Sequence, residues 1–307
     1  MKELLQRKII LDTDIGDDID DAFALRYLLA LDQIELLGVT TVYKNVAERA
    51  RIAKHFLHLF GSNVKVFAGV NKPLVKDVRL LHGEKVRQDG LIKIDHYTSD
   101  LDDATYEQEN AVDFILEELK KRPHEITLVA IGPLTNLAKC AQKDLETFRL
   151  AKEVLIMGGR FNEKIAEWNI ETDPDGAKIV FASGVPCKIV PFDITNLCSL
   201  GKDGVEKVRA LSNPADRYLA KMMNRWIEHY DDNWRGEKIP VLHDVLAVMP
   251  FEDEDMFKTR EIRFNLPVTG ECADCTVEDT DGEYTATLYY EFDKVTFYRH
   301  FWDKLEK

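Results

Sequence analysis

Residues 8–22 have the sequence KIILDTDIGDDIDDA, in which a short apolar segment runs directly into a dense set of aspartates. Lys8–Leu11 has the length and the branched side chains of a buried β-strand, and Ala22–Ala30 has the apolar spacing of a helix. The aspartates therefore follow the carboxyl end of a predicted parallel strand. That end is where open α/β sheets bind their ligands.

Strand-like and helix-like segments alternate through the first two thirds of the chain. Alternating βα units predict an α/β fold with an open, mostly parallel sheet and helices on both faces, a Rossmann-like core. The further predicted strands are Ile34–Val42, Val64–Phe67, Ile126–Ile131, Glu153–Met157 and Cys187–Pro191. The predicted helices after the first are Val46–Phe60, Glu109–Lys121, Leu134–Gln142 and Pro174–Ser183.

The last third of the chain has a different pattern. Pro214–Asp232 is a predicted helix, and Arg263–Val268 and Tyr284–Tyr290 are predicted strands. We expect these strands to extend the sheet edge in antiparallel fashion, which gives a mixed C-terminal addition. Because there is no internal repeat and no linker rich in Pro, Gly or Ser, residues 1–307 are predicted to form a single domain.

Composition excludes several classes of protein. The chain has 41 Lys and Arg against 55 Asp and Glu, a net charge of −14 that disfavours nucleic acid as a partner. No window reaches the ~18 uninterrupted apolar residues of a membrane helix, so no membrane role is expected. The five cysteines are odd in number and unevenly spaced, which does not suit a disulfide framework, and a cytoplasmic location is predicted. Cys272 and Cys275 form a lone CxxC, which is a weak signal for metal or redox chemistry.

The acidic cluster itself points to a metal. Six carboxylates lie within the ten residues from Asp12 to Asp21. Like charges at this density repel one another unless a cation neutralises them. Oxygen ligands without Cys or His favour a hard cation, Ca²⁺ or Mg²⁺. The alternative is a solvated loop whose aspartates cap the following helix, which accounts for only one or two of the six.

The same segment resembles the N-terminal signature of the inosine–uridine-preferring nucleoside hydrolases. In that family a strand ends in Asp-x-Asp-x-Gly and continues to Asp-Asp-Ala, usually with one residue between Gly and Asp-Asp. This chain has three, Asp17-Asp18-Ile19. The insertion leaves open which of Asp18, Asp20 and Asp21 reach the metal. The start of the following helix favours Asp20 and Asp21 for the family's Asp-Asp role.

Further segments match the family in the same order, over about residues 8 to 249. Leu81-His82-Gly83 resembles a loop that closes over the substrate, and Lys44-Asn45 lies where the family usually has Gly-Asn. The stronger matches are Ile131–Ala138 (IGPLTNLA), Met157–Gly159 (MGG), Ala166–Asn169 (AEWN), Asp173-Pro174 and Pro240–Asp244 (PVLHD).

The resemblance implies Ca²⁺-dependent hydrolysis of the N-glycosidic bond of ribonucleosides to ribose and free base. It implies catalytic roles for Asp14, as general base, and for His243, which stabilises or protonates the departing base. A small-molecule nucleoside substrate and a homodimer or homotetramer are also implied. The implied metal ligands are Asp14, Asp21, Asp244 and the carbonyl of Ile131, and the implied substrate contacts are Asp20, Asn45, His82, Asn162, Glu167 and Asn169.

Two other functions are compatible with parts of the sequence. A Mg²⁺-dependent phosphatase of the haloacid-dehalogenase type also has a strand ending in Asp-x-Asp, but it has Thr or Val at the position of Gly16 here. A non-catalytic nucleoside-binding or calcium-binding protein is disfavoured by the presence of both Asp14 and His243. Aromatic residues at helical spacing could stack on a base or pack in the core: Trp226, Tyr230 and Trp234.

Overall fold

The computed structural model describes residues 6–75, 92, 94–229, 238–267 and 269–306. No helix in these ranges has the length and apolar content needed to cross a membrane. The strands are β1 (Arg7–Thr13), β2 (Ile34–Thr41), β3 (Val66–Ala68), β4 (Ile126–Ala130), β5 (Glu153–Met157), β6 (Cys187–Val190), β7 (Phe257–Asn265), β8 (Val277–Glu278) and β9 (Tyr284–Phe292). The helices are α1 (Asp20–Leu29), α2 (Val46–Leu59), α3 (Ala111–Lys121), α4 (Thr135–Lys143), α5 (Leu145–Phe148), α6 (Trp168–Thr172), α7 (Pro174–Phe181), α8 (Phe192–Thr195), α9 (Gly201–Ala210), α10 (Pro214–His229), α11 (His243–Val248) and α12 (Lys294–Leu305).

The described strands form one sheet in the order β3-β2-β1-β4-β5-β6-β9-β7-β8. Neighbours from β3 through β9 are parallel, and β7 runs antiparallel to both β9 and β8. The predicted α/β fold with a mostly parallel sheet is confirmed. Strand order reverses at β1, so the crevice between the carboxyl ends of β1 and β4 is the topological switch point where such sheets bind ligands.

The C-terminal strands are placed differently from the expectation in one respect. The antiparallel prediction holds between β7 and β9, but it is wrong between β9 and the rest of the sheet, because β9 pairs in parallel with β6. Strand β7 also begins at Phe257, ahead of the predicted Arg263. Its first half has four consecutive exposed residues, so it lacks the alternation of buried and exposed side chains that indicates a strand.

Apolar side chains of the sheet alternate between two cores, one on each face. On β1, Ile9 and Leu11 belong to the core that includes residues of α1, α2, α10, α11 and α12, whereas Ile10 belongs to the core with α3, α4 and α7. The period of two along a strand sends successive side chains to opposite faces. Helices cover both faces of the sheet, as predicted. The polar ends of the strands are therefore left to form a functional site.

Candidate active site

A cavity of about 840 Å³ lies at the carboxyl edge of the sheet, at the switch point. Residues that follow β1, β4, β5 and β6 line it, together with residues of α1, α6, α10 and α11. The structure brings eight of the predicted site residues to this cavity: Asp14, Asp20, Asp21, Ile131, Glu167, Asn169, His243 and Asp244.

Two further predicted site residues, Asn45 and Asn162, are not in the cavity lining. Asn45 is buried, and its side chain accepts a hydrogen bond from Glu48 N at 3.2 Å, so it caps α2. Asn162 is exposed, and its backbone N donates to Asp193 Oδ1 at 2.9 Å. His82, like Tyr230 and Trp234, lies outside the described residues. Trp226 is buried and lines the cavity.

Three buried carboxylates form a group that could hold a cation. Asp20 and Asp21 are in the first turn of α1 and Asp244 is in the first turn of α11, and each offers an oxygen within 4.8 Å of the others. Burial first, and then the neighbouring carboxylates, raise the pKa of all three well above the ordinary aspartate value. Thr13 Oγ1 donates to Asp21, and Asp244 N donates to Asp20 Oδ2 at 3.3 Å. A bound cation would relieve the repulsion within this group.

Asp14 lies beside this group but is not one of the three. Its side chain is 14% exposed and lines the cavity. Burial raises the pKa of Asp14, and the Arg49 guanidinium, 3.9 Å from Oδ2, opposes that shift. A Cβ at position 132 would lie 2.8 Å from Asp14 Oδ1. Gly132 therefore allows the turn after β4 to approach the end of β1 closely.

The inserted residues introduce a clamp that is built around Asp17. Its Oδ2 accepts from Lys44 Nζ and Arg49 Nη2, each at 2.8 Å, and its Oδ1 accepts from Asp95 N at 3.2 Å. Burial disfavours this charge, but Arg49 and Lys44 outweigh burial and lower the pKa of Asp17 to about 2. Arg49 is fully buried and also donates to the carbonyls of Asp14, Ile15 and Tyr43. The clamp thus joins the ends of β1 and β2.

The backbone at the end of β2 decides which side chain faces the cavity. Tyr43 and Lys44 have φ of 67° and 57°, a left-handed conformation that is uncommon for residues other than glycine. Lys44 lines the cavity, and Asn45 turns away to cap α2. At the end of β2 the side chain that borders the cavity is therefore Lys44 and not Asn45.

Two motif segments are held together by buried hydrogen bonds beneath the cavity. Asn136, from the segment after β4, donates to Asp12 Oδ1 at 2.7 Å. Thr135 Oγ1 donates to Asp173 Oδ2 at 2.5 Å, and Asp173 in turn caps α7 by accepting from Gly176 N at 3.0 Å. These residues fix the relative positions of β1, α4 and α7.

Glu167 and Asn169 line the cavity from the segment that follows β5. The Glu167 carboxylate caps α6 by accepting from Asn169 N and Ile170 N, and it also accepts from Gly159 N at 3.0 Å. Burial outweighs these hydrogen bonds and raises the pKa of Glu167 to about 7. Asn169 Nδ2 donates to the carbonyls of Ile131 at 3.2 Å and Met157 at 3.1 Å.

His243 is held by the short helix α8, a contact that the sequence analysis missed. Thr195 Oγ1 lies 2.8 Å from His243 Nδ1, and the Phe192 ring stacks on the imidazole with centroids 5.3 Å apart and planes at 20°. The guanidinium of Arg160 lies 4.8 Å from the centroid of Phe192. Their position directly after β6, at the ligand-binding edge of the sheet, was the available signal.

Comparison with known proteins agrees with this geometry. The sequence model of the family of inosine-uridine preferring nucleoside hydrolases matches residues 9–299. The chain belongs to this family. It is a hydrolase that acts on N-glycosyl bonds, and the phosphatase alternative is therefore wrong.

Individual relatives cover nearly the whole chain. A pyrimidine-specific ribonucleoside hydrolase, RihB of Escherichia coli, is 30% identical over 289 residues, covering 90% of this chain and 88% of its own. An uncharacterized protein of Schizosaccharomyces pombe is 33% identical over 276 residues, 86% of each chain. A solved purine-preferring ribonucleoside hydrolase from Gardnerella vaginalis superposes with a TM-score of 0.81 at 29% identity, covering 97% of this chain and 98% of its own.

Proposed function

We propose that this chain hydrolyses ribonucleosides to ribose and free nucleobase in a Ca²⁺-dependent reaction. The observation that carries the proposal is that one cavity contains the buried carboxylate group, the Glu167–Asn169 wall and His243. A glycosidic hydrolase needs a base for water, groups that hold the sugar and a group that stabilises the leaving base. Each has a candidate here.

The residues present fit a calcium ion. The three grouped carboxylates offer only oxygen atoms, which a hard cation such as Ca²⁺ prefers. Their raised pKa values indicate that the protein does not compensate their charges by itself. We assign Asp14, Asp21, Asp244 and the carbonyl of Ile131 as ligands, with Asp20 adjacent. When bound, the cation supplies positive charge and coordination for the sugar hydroxyls and for a water.

Asp14 is the best candidate for the base. It would take a proton from the attacking water, whose oxygen bonds to C1′ of the ribose. The C1′–N bond breaks, and its electron pair stays on the nucleobase nitrogen. His243 stabilises that nitrogen with a hydrogen bond or gives it a proton, and exchange with solvent restores both side chains.

Glu167 and Asn169 are suited to hold the sugar. Because backbone N–H groups fix the Glu167 carboxylate, its remaining lone pairs can accept from a hydroxyl without reorganisation. Asn169 uses its amide hydrogens on two carbonyls, which leaves its oxygen as an acceptor. Contacts of this kind, remote from the bond that breaks, help to distort the sugar toward the transition state.

The nucleobase is expected to meet the aromatic part of the lining. Trp168, Trp226 and Phe192 all border the cavity and could pack against a planar ring. The relatives are named for different bases, pyrimidines for RihB and purines for the Gardnerella enzyme. The nucleobase that this chain prefers is therefore to be determined by comparing its activity on different nucleosides.

The experiment is a substrate panel with a metal test. Inosine, uridine, cytidine and adenosine are incubated with the protein, and reducing sugar is measured. p-Nitrophenyl phosphate serves as the control for phosphatase activity. Activity should disappear after chelation and return with Ca²⁺. Full turnover by protein shown to be metal-free by elemental analysis would contradict the calcium role, and binding without ribose release would contradict the hydrolase role.

Assembly and location stay predictions. A homodimer or homotetramer is expected from the resemblance, and light scattering coupled to size exclusion would measure it. The cytoplasmic location rests on cysteine usage and is tested by fractionation of the source cells.

A further inference from the structure

Helix α8 presents two side chains to His243. Phe192 and Thr195 are three residues apart, so they lie on the same face of the helix. Phe192 stacks on the imidazole, and the Thr195 hydroxyl lies 2.8 Å from Nδ1. One contact restricts tilting of the ring, and the other restricts its rotation.

The direction of the Thr195 hydrogen bond follows from the surroundings of the hydroxyl. Thr195 has no exposed surface. Across the part of the chain that the structure describes, His243 Nδ1 is the only hydrogen-bond partner of Thr195 Oγ1. A buried hydroxyl hydrogen without an acceptor is costly, so the hydroxyl donates to Nδ1.

This direction assigns the hydrogen of the neutral imidazole ring. If Nδ1 accepts from Thr195, the ring hydrogen is on Nε2. His243 borders the cavity, so Nε2–H is the group with which the ring would meet a nucleobase.

The geometry points to Thr195 as a positioning residue for His243: its hydroxyl holds the imidazole with Nε2–H directed at the departing base, against the aromatic face of Phe192. This inference rests on the proposed function and extends it to a residue outside the assigned site. Thr195 is not among the residues that line the cavity. Its effect should therefore appear only in the step that needs His243.

The kinetic test compares two variants of Thr195 on two kinds of substrate. Thr195→Val keeps the shape and removes the hydroxyl, and Thr195→Ser keeps the hydroxyl. Uridine or inosine needs help at the leaving base, whereas p-nitrophenyl riboside releases a stable anion. Thr195→Val should lower kcat about 10-fold or more on the nucleoside, part of the ~10²–10⁴-fold effect of acid catalysis, and spare the nitrophenyl substrate. Thr195→Ser should stay near wild type on both.

Two kinetic outcomes would overturn the inference. Full turnover of the nucleoside by Thr195→Val would show that the hydroxyl is not needed. Equal losses on both substrates, with an unchanged unfolding midpoint, would show a general structural role. In either case the wild-type enzyme still hydrolyses the nucleoside, so the proposed function is unaffected.

A spectroscopic measurement tests the inference without relying on activity. Long-range ¹H–¹⁵N spectra distinguish Nδ1–H from Nε2–H imidazoles, and the His243→Gln variant identifies the His243 signals by their loss. The neutral ring of the wild type should be the Nε2–H form, and Thr195→Val should give a mixture. A wild-type ring with its hydrogen on Nδ1 would overturn the assignment. If wild type hydrolyses neither substrate, the proposed function fails, while this spectrum still decides the role of Thr195.

Discussion

Replacing Asp244 by Asn should stabilise the metal-free protein and destabilise it relative to wild type when calcium is present. The oxygens of Asp20, Asp21 and Asp244 lie within 4.8 Å of one another. Two unit charges at about 4.8 Å repel by about 3.5 kcal/mol at an effective dielectric constant of about 20. Asn keeps the shape and removes the charge from two of the three pairs. Because bound protons relieve part of the repulsion, we expect a gain of about 1–3 kcal/mol in the free energy of unfolding.

Calcium should reverse the order of the two proteins. A ligand at about 1,000 times its dissociation constant stabilises the folded state by about 4.1 kcal/mol. The wild type should show a gain of this size, whereas Asp244→Asn has lost a negatively charged ligand and should show little. The assay is urea unfolding of both proteins in EDTA and in Ca²⁺. Thermal unfolding gives a second readout, in which about 1 kcal/mol corresponds to a few degrees for a chain of this size.

Asp203→Asn is the matched control. Asp203 is also an aspartate in the first turn of a helix, α9, but it is exposed and lies apart from the carboxylate group. Its replacement should change stability by less than about 1 kcal/mol, equally with and without calcium. The reasoning is refuted if Asp244→Asn is less stable than wild type in EDTA. It is also refuted if calcium stabilises both proteins to the same extent.

Other variants test the remaining electrostatic assignments. Arg49→Met removes the fully buried guanidinium that pairs with the partly buried Asp17, and urea unfolding should show a loss of about 3–5 kcal/mol. Lys8→Met, which breaks an exposed pair with Glu125, should cost less than about 1 kcal/mol, and a similar cost for both would contradict the clamp. Because burial raises the pKa of Glu167 to about 7, its contribution to stability is present below pH ~4.5 and is lost as pH rises toward 7. Urea unfolding at several pH values should therefore show that the free energy of unfolding of Glu167→Gln rises relative to that of wild type between pH ~4.5 and 7. A difference in free energy that does not change with pH would argue against the raised pKa. His243→Ala should lose about 10²–10⁴-fold in kcat on uridine or inosine while sparing p-nitrophenyl riboside, and equal losses at intact fold and metal content would mean that another group activates the base.

Local patterns in the sequence were sufficient for the layers of the fold and for eight of the residues that line the cavity. The alternation of strand and helix periods predicted the parallel sheet, since side-chain spacing reports directly on which faces are buried. The start of α1 at Asp20 agrees with the expectation that the inserted residues lie in the loop. Gly132 and Asp173 also belong to short segments whose turn and cap chemistry is local.

The tertiary structure decided the contacts between residues that are far apart in the chain. Asp244 joins Asp20 and Asp21 across more than 200 residues, and only the packing of α11 beside α1 brings them together. Strand β9 lies between β6 and β7, although β7 precedes it in the chain.

The clamp around Asp17 and the contact of Thr195 with His243 likewise could not be predicted from the sequence. Lys44 has a left-handed backbone and borders the cavity, whereas Asn45 caps α2. Asp17 pairs with Arg49, which α2 supplies. Thr195 meets His243 because α8 and α11 pack at one edge of the sheet. Periodicity is a property of neighbouring residues. Pairing over long separations depends instead on strand order and on the packing of whole elements, which no local pattern encodes.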